Sequence, residues 1–227
     1  MDIVDQTPYF EHPFTAILAG PSQSGKSTLV YQMITNLSKC VNFVPSRIYI
    51  AYSRMQCLYD DIKRDSKVPV ILIESLSKDF RPPKNSLLII DDLMGKADSD
   101  VITDWFVKNS HHYEVSVLYL MQNLFLKLPN HRTTSLNANF IILFSNPRDK
   151  TQIMHLARQI SPSNTKFVMD AYRQATSKPH GYIVFNFKQN CPENLRLRDS
   201  VFGGASVFYN TNTAVHTDLN SLDGAVV

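Results

Sequence analysis

Residues 20–27 read Gly-Pro-Ser-Gln-Ser-Gly-Lys-Ser, the spacing G-x-x-x-x-G-K-[ST]. Each fixed position has a chemical reason. Gly20 and Gly25 let the chain curl until successive backbone N–H groups face one centre, a nest for an anion. A helix that starts inside the motif adds the positive end of its dipole. Lys26 has the reach to contact the β- and γ-phosphates of a nucleotide, and the Ser27 hydroxyl can ligate Mg²⁺. The phosphate-binding segment is therefore Gly20, Pro21, Ser22, Gln23, Ser24, Gly25, Lys26, Ser27 and Thr28. An apolar run precedes it and a helix-compatible run follows, which is the context this loop requires.

The run Leu87-Leu88-Ile89-Ile90-Asp91-Asp92 is apolar until its last two residues. It reads as a strand buried on both faces, with two carboxylates at its carboxyl end. In open α/β sheets that end faces the ligand crevice. Asp91 is placed to complete a Mg²⁺ shell, and Asp92 to orient and deprotonate an attacking water. The competing reading is a turn, where aspartate is common. Tyr119-Leu120-Met121-Gln122 ends another apolar run with an amide. At that level Gln122 can touch a γ-phosphate or the attacking water and report hydrolysis.

No Asn-Lys-x-Asp segment is present to read guanine, which favours ATP over GTP as the ligand. Strands are expected at 14–19, 47–52, 69–74, 86–92, 115–122 and 140–145. Helices are expected at 26–37, 99–109 and 150–159. Such alternation implies βαβ units around a mostly parallel sheet with helices on both faces. A strand candidate between the phosphate loop and the acidic pair suits the additional-strand class of P-loop NTPases better than the simple nucleoside kinases. Residues 181–187 add a late, antiparallel edge strand.

The remaining composition narrows the class without deciding it. A chain of 227 residues, 44% of them hydrophobic, suits one α/β domain with a full core. We assign residues 1–202 to a P-loop ATPase domain. From 203 to 227 the chain is rich in Gly, Ala, Ser, Thr and Asn, and reads as a flexible or partner-ordered tail. The net charge of +3 is compatible with nucleic-acid binding and does not demand it. Three scattered cysteines read as reduced thiols in a cytosolic or nuclear compartment. The acidic, proline-broken start is unlike a signal peptide, and no run approaches a membrane span. A soluble protein is expected.

Further motifs occur in order: Ser110-His111-His112, Ser116-Val117, Gln122-Asn123-Leu124-Phe125, His131-Arg132-Thr133, Ser135-Leu136-Asn137 and Asn146-Pro147-Arg148-Asp149. Together with the phosphate loop and acidic pair, these resemble the viral DNA-packaging ATPases of the FtsK/HerA superfamily. The likeness is greatest to the poxvirus-type branch found in Polinton-like and adintovirus-like elements, and spans residues 12–200. It implies a homo-oligomeric ring, pentameric or hexameric, that drives double-stranded DNA without sequence preference into a preformed capsid. Capsid or portal proteins would be its docking partners. It would work in the host nucleus or cytoplasm, at the assembling capsid. The alternatives are a replicative helicase and a nucleotide-dependent assembly scaffold with negligible turnover; a small-molecule kinase is more remote.

In such rings a neighbouring subunit supplies an arginine finger. Arg148 and Arg132 are the candidates, and Arg148 is preferred. The competing reading pairs Arg148 with Asp149 on the surface. Asp92 stands where many members of the wider superfamily carry Glu. Being one methylene shorter, it must hold the water closer or share the task. Lys108, His111, His112, Lys127, His131 and Arg132 form a basic set that can face DNA phosphates or simply solvent. His111 and His112 are adjacent, so they point apart and suit no shared metal ion.

Overall fold

The computed structural model describes residues 3–4, 9–93, 95–125, 130–192, 195–202 and 205–208. In chain order the elements are β1 (Ile3–Val4), β2 (Thr15–Ala19), α1 (Lys26–Thr35), β3 (Ile48–Tyr52), α2 (Cys57–Asp65), β4 (Val70–Ile73), β5 (Ser86–Asp91) and α3 (Lys96–Asp104). A single π-helical turn, Trp105–Asn109, joins α3 to α4 (Ser110–Tyr113). Then come β6 (Val115–Met121), α5 (His131–Leu136), β7 (Phe140–Phe144), α6 (Thr151–Ile160), α7 (Thr165–Ala175), β8 (Tyr182–Asn186), β9 (Leu197–Arg198) and β10 (Ala205–Phe208).

Among the described residues these strands form one sheet in the order β1-β10-β9-β8-β7-β2-β6-β5-β3-β4. The six from β7 to β4 are mutually parallel. The decisive detail is β6. It lies between β2, which leads into the phosphate loop, and β5, which ends in Asp91. That interposed strand makes this a P-loop fold of the additional-strand class.

Alternation along each central strand explains the two cores. Ile17 and Ala19 face one side of β2, while Ala16 and Leu18 face the other. Leu88 and Ile90 of β5 likewise oppose Leu87 and Ile89. One face is covered by α1 and α2 through Leu29, Met33, Tyr59 and Ile62. The opposite face is covered by α3, the π turn, α6 and α7 through Ile102, Trp105, Leu156 and Val168. A strand sandwiched this way has no solvent face, hence the unbroken apolar runs.

Several boundaries differ from expectation for local reasons. The first helix stops at Thr35 and passes into a 3₁₀ turn at Leu37–Lys39, because Asn36 leaves the helical region. The helix expected at 99–109 runs from Lys96 to Tyr113 by way of the π turn, which buries Trp105 and Phe106. Residues 181–187 do hold an antiparallel strand, but it is not an edge. β8 pairs with β7 on one side and β9 on the other, and β10 and β1 extend the sheet further. β10 falls within the segment read as a tail, whereas residues 209–227 lie outside those described.

Candidate functional site

The phosphate loop forms where β2 ends. Gly20 donates its N–H to the Met121 carbonyl (3.2 Å), continuing the β2–β6 ladder by one residue before the chain curls. A side chain at Gly20 would meet Phe144 Cβ at 2.7 Å and Ser24 Oγ at 2.8 Å, so glycine is required by close approach. Gly25 stands at φ 104°, a left-handed conformation that only glycine takes without strain. It is also the N-cap of α1, and no side chain caps that end. The first-turn N–H groups of α1 are thereby kept for an anion.

The expected residues converge. A cavity of about 200 Å³ is lined by Ser22, Gln23, Lys26, Ser27, Gln56, Asp91, Asp92, Leu120 and Gln122. Lys26 Nζ donates to the carbonyls of Gly20 (2.7 Å) and Pro21 (2.9 Å), which arches it across the loop. Burial pulls the Lys26 ammonium below the usual lysine range, against the opposing pull of Asp91 and Asp92. Burial likewise pushes the Asp91 carboxyl up, and Asp92 adds to this, while Tyr59, Lys26 and Gln56 act the other way. For both groups desolvation outweighs their mutual attraction. A pocket that leaves a cation and an anion each short of solvation is suited to a ligand carrying both charges, such as a metal-bound polyphosphate.

Asp92 ends the strand by turning to φ 54°, the left-handed region in which Asp is far commoner than Glu. Gln122 Nε2 donates to Asp92 Oδ2 (3.3 Å) and Oδ1 (3.4 Å), so sensor and base candidates touch across β5 and β6. The donor set also fits Mg²⁺. Ser27 and Asp91 line the same cavity, and Asp91 Oδ2 is already engaged by protein donors, leaving Oδ1 for a cation or its water.

Those donors escape a reading of the sequence. Tyr59 OH donates to Asp91 Oδ2 at 2.6 Å, and Gln56 Nε2 reaches the same oxygen at 3.1 Å. Tyr59 is buried, stacked obliquely on Tyr52 at 5.5 Å between centroids. Both residues come from the short, polar α2 region, whose sequence carries no motif. The only signal is the Tyr59/Ile62 spacing, which marks a buried helical edge.

Other sequence candidates land elsewhere. Arg148 and Arg132 are exposed, and neither lines the phosphate cavity. Asp149 does not pair with Arg148. Its carboxylate instead accepts from Thr151 N (3.0 Å) and Gln152 Nε2 (3.0 Å), capping α6. The Asn146 side chain accepts from the backbone N–H of Arg148 (3.1 Å) and Asp149 (3.3 Å), fixing the Asn-Pro-Arg-Asp turn. Arg132 sits on α5 and lines a separate cavity of about 510 Å³, together with Phe125, Leu136, Leu156, Gln159 and Phe187.

One member of the basic set is withdrawn from solvent. His131 is 5% exposed, packed near Leu93 and Tyr119, so it cannot face DNA. Burial also pulls its imidazole below the usual histidine range, keeping it neutral. Lys108 is paired with Asp104 at 2.9 Å. His111 and His112 are exposed and precede the amino end of β6, whereas Arg132 follows its carboxyl end. Lys127 lies outside the described residues.

No family model and no curated protein matches the chain. Among solved structures it is similar to the genome packaging NTPase B204 of Sulfolobus turreted icosahedral virus 2, determined in complex with ATP-gammaS. Identity is 15% over 77% of this chain and 92% of that one, with a TM-score of 0.43. The Legionella pneumophila ATPase DotB matches at 10% identity over 74% of this chain and 53% of that one, with a TM-score of 0.40. Flagellar accessory protein FlaH of Methanocaldococcus jannaschii matches at 13% identity over 61% and 75%, with a TM-score of 0.35. The strand order, rather than these distant likenesses, carries the fold assignment. Among the described residues no helix is long and apolar enough to cross a membrane.

Proposed function

We propose that the chain binds Mg-ATP in this cavity, hydrolyses it, and works as the motor of a homo-oligomeric ring that moves double-stranded DNA into a preformed capsid. The observation carrying the ATPase reading is the convergence of Lys26, Ser27, Asp91, Asp92 and Gln122 on one cavity at the carboxyl end of a parallel sheet. The packaging role is supported by the ordered motifs from Ser110 to Asp149 that resemble the packaging ATPases.

Each residue has a task within that reading. The loop from Gly20 to Thr28 cradles the phosphates, with Lys26 swinging from the loop carbonyls to the β- and γ-phosphates. Ser27 and Asp91 hold Mg²⁺, which supplies charge neutralisation on the transferring phosphate. Asp92 accepts a proton from water as the water oxygen attacks the γ-phosphorus and the bond to the β–γ bridging oxygen breaks. Gln122, already against Asp92, lies where it contacts the γ-phosphate or that water, and hydrolysis changes what it touches. Arg148 or Arg132 of a neighbouring subunit stabilises the transition-state charge.

Steady-state ATP hydrolysis tests the reading, measured without DNA, with single strands and with linear duplex, for wild type and Asp92→Asn. Duplex stimulation that vanishes in the variant is expected. Stimulation by single strands alone would indicate a helicase. Tight ATP binding with no turnover, even with capsid present, would indicate a scaffold.

A further inference from the structure

We infer that His180 forms the nucleoside end of the binding site, its imidazole serving as the surface on which the base of a nucleoside triphosphate stacks. This rests on the reading of the Gly20–Thr28 loop as a nucleotide site and extends it to a residue outside every phosphate-binding motif.

The sheet fixes the direction in which a nucleotide must lie. β6 and β5 flank β2 on one side, and they carry Gln122, Asp91 and Asp92. A terminal phosphate to be cleaved must point there. The α-phosphate and nucleoside must then leave the loop over the first turn of α1 toward β7 and β8 on the other side of β2. On that side two aromatic side chains reach the loop: Phe144, buried in the core beside Gly20, and His180, which is exposed. His180 Nδ1 lies 3.2 Å from the Ser24 carbonyl, and since a carbonyl only accepts, Nδ1 carries the proton. A Cβ placed on Gly25 would meet His180 Cβ, Nδ1 and Cγ at 3.1–3.3 Å, so the ring lies directly on the loop glycine.

The placement is built. His180 adopts φ 59°, a left-handed conformation uncommon outside glycine that His enters more readily than most residues, and its side chain stays exposed. Beside it Gly181 has no room for a side chain: a Cβ would come within 2.6 Å of the Ala175 carbonyl. Gly181 N donates to the Lys178 carbonyl (2.9 Å), and the Gly181 carbonyl accepts from Ser145 N (3.3 Å) at the end of β7. A doubly anchored turn thus presents an exposed ring against the phosphate loop. Core packing does not require it. An aromatic face at the loop, on the side away from the catalytic carboxylates, is what a base can stack upon.

Isothermal titration of ADP and of inorganic pyrophosphate, each with Mg²⁺, tests this because neither probe is consumed by hydrolysis. The variant is His180→Asn, which tolerates the left-handed backbone but removes the ring. Wild type should bind ADP more tightly than pyrophosphate. In the variant ADP binding should weaken about tenfold, with pyrophosphate binding unchanged, which also certifies an intact loop. Equal weakening of both probes would make His180 a brace for the loop and overturn the proposal, as would no change in either. If wild type binds both probes equally, the nucleoside subsite fails while the phosphate site stands. If it binds neither, the nucleotide reading falls and takes this proposal with it.

Discussion

Asp91 meets two demands that conflict. Its proposed task of holding Mg²⁺ requires a carboxylate, yet burial, reinforced by Asp92, pushes its titration up. A folded-state pKa above the unfolded value means that the native state holds the proton more tightly. Ionisation of Asp91 therefore opposes folding at any pH above the ordinary aspartate range, and the penalty disappears once pH falls below it. Asp91→Asn cannot ionise but can still accept the Tyr59 hydrogen bond. In Mg²⁺-free buffer it should raise Tm at pH 7–8 by a few degrees, on the order of 1 kcal/mol. The gain should shrink toward zero near pH 4, while Mg-ADP stabilises the wild type alone. Scanning fluorimetry at three pH values checks this, and a pH-independent gain would contradict it. Tyr59 works through Asp91 by holding Oδ2 at 2.6 Å. Tyr59→Phe keeps the ring packing but frees that oxygen, so the Mg²⁺ concentration for half-maximal activity should rise roughly 10–100-fold. The nucleotide affinity measured at saturating Mg²⁺ should stay near wild type, which a general collapse of the site would not permit.

At the level of elements, what was legible depended on burial. The central strands announce themselves, since a strand covered on both faces must be apolar throughout, and Leu87 to Ile90 can be nothing else. The phosphate loop was legible because its glycines serve backbone geometry that no other residue supplies. The helix α2 was hidden: in Cys57–Asp65 the buried residues are Tyr59 and Ile62, and apart from the half-buried Leu58 the rest is charged or exposed. With it went Gln56 and Tyr59, whose role exists only once α2 is folded against β5. The two-residue β9 is too short for any period to register, so β8 looked like an edge. Gly20 shows how tightly neighbouring elements constrain one another. Phe144 Cβ lies beside it on β7, fixed to the backbone, so a methyl group there must force β2 and β7 apart. Gly20→Ala should cost about 1–3 kcal/mol, read as a loss of Tm of several degrees. It should weaken ADP binding more than the exposed substitution Ser22→Ala does.

For the whole molecule, the arrangement of the sheet bears on how one site is completed. β7 and β6 lie on opposite sides of β2, so Arg148, just past the end of β7, stands across the phosphate strand from Asp91, Asp92 and Gln122. It is exposed, its backbone is pinned by Asn146, and Asp149 is occupied in capping α6. Under the proposed ring, an exposed arginine that does not line its own cavity is a candidate to act on a neighbour's. If the proposed ring forms, Lys26→Ala subunits would lack nucleotide and Arg148→Ala subunits would lack the finger, so each variant alone should be inactive. Mixed at equal ratio, a subunit with an intact phosphate loop meets an intact Arg148 whenever its neighbour is the other variant. For a finger acting between subunits this restores about a quarter of the sites, and duplex-stimulated hydrolysis should recover to a comparable fraction. A finger acting within its own subunit restores none, since no chain in the mixture carries both residues. The same mixture with Arg132→Ala in place of Arg148→Ala separates the two arginines: whichever regains activity on mixing acts across the boundary, and recovery with neither would remove both from that role.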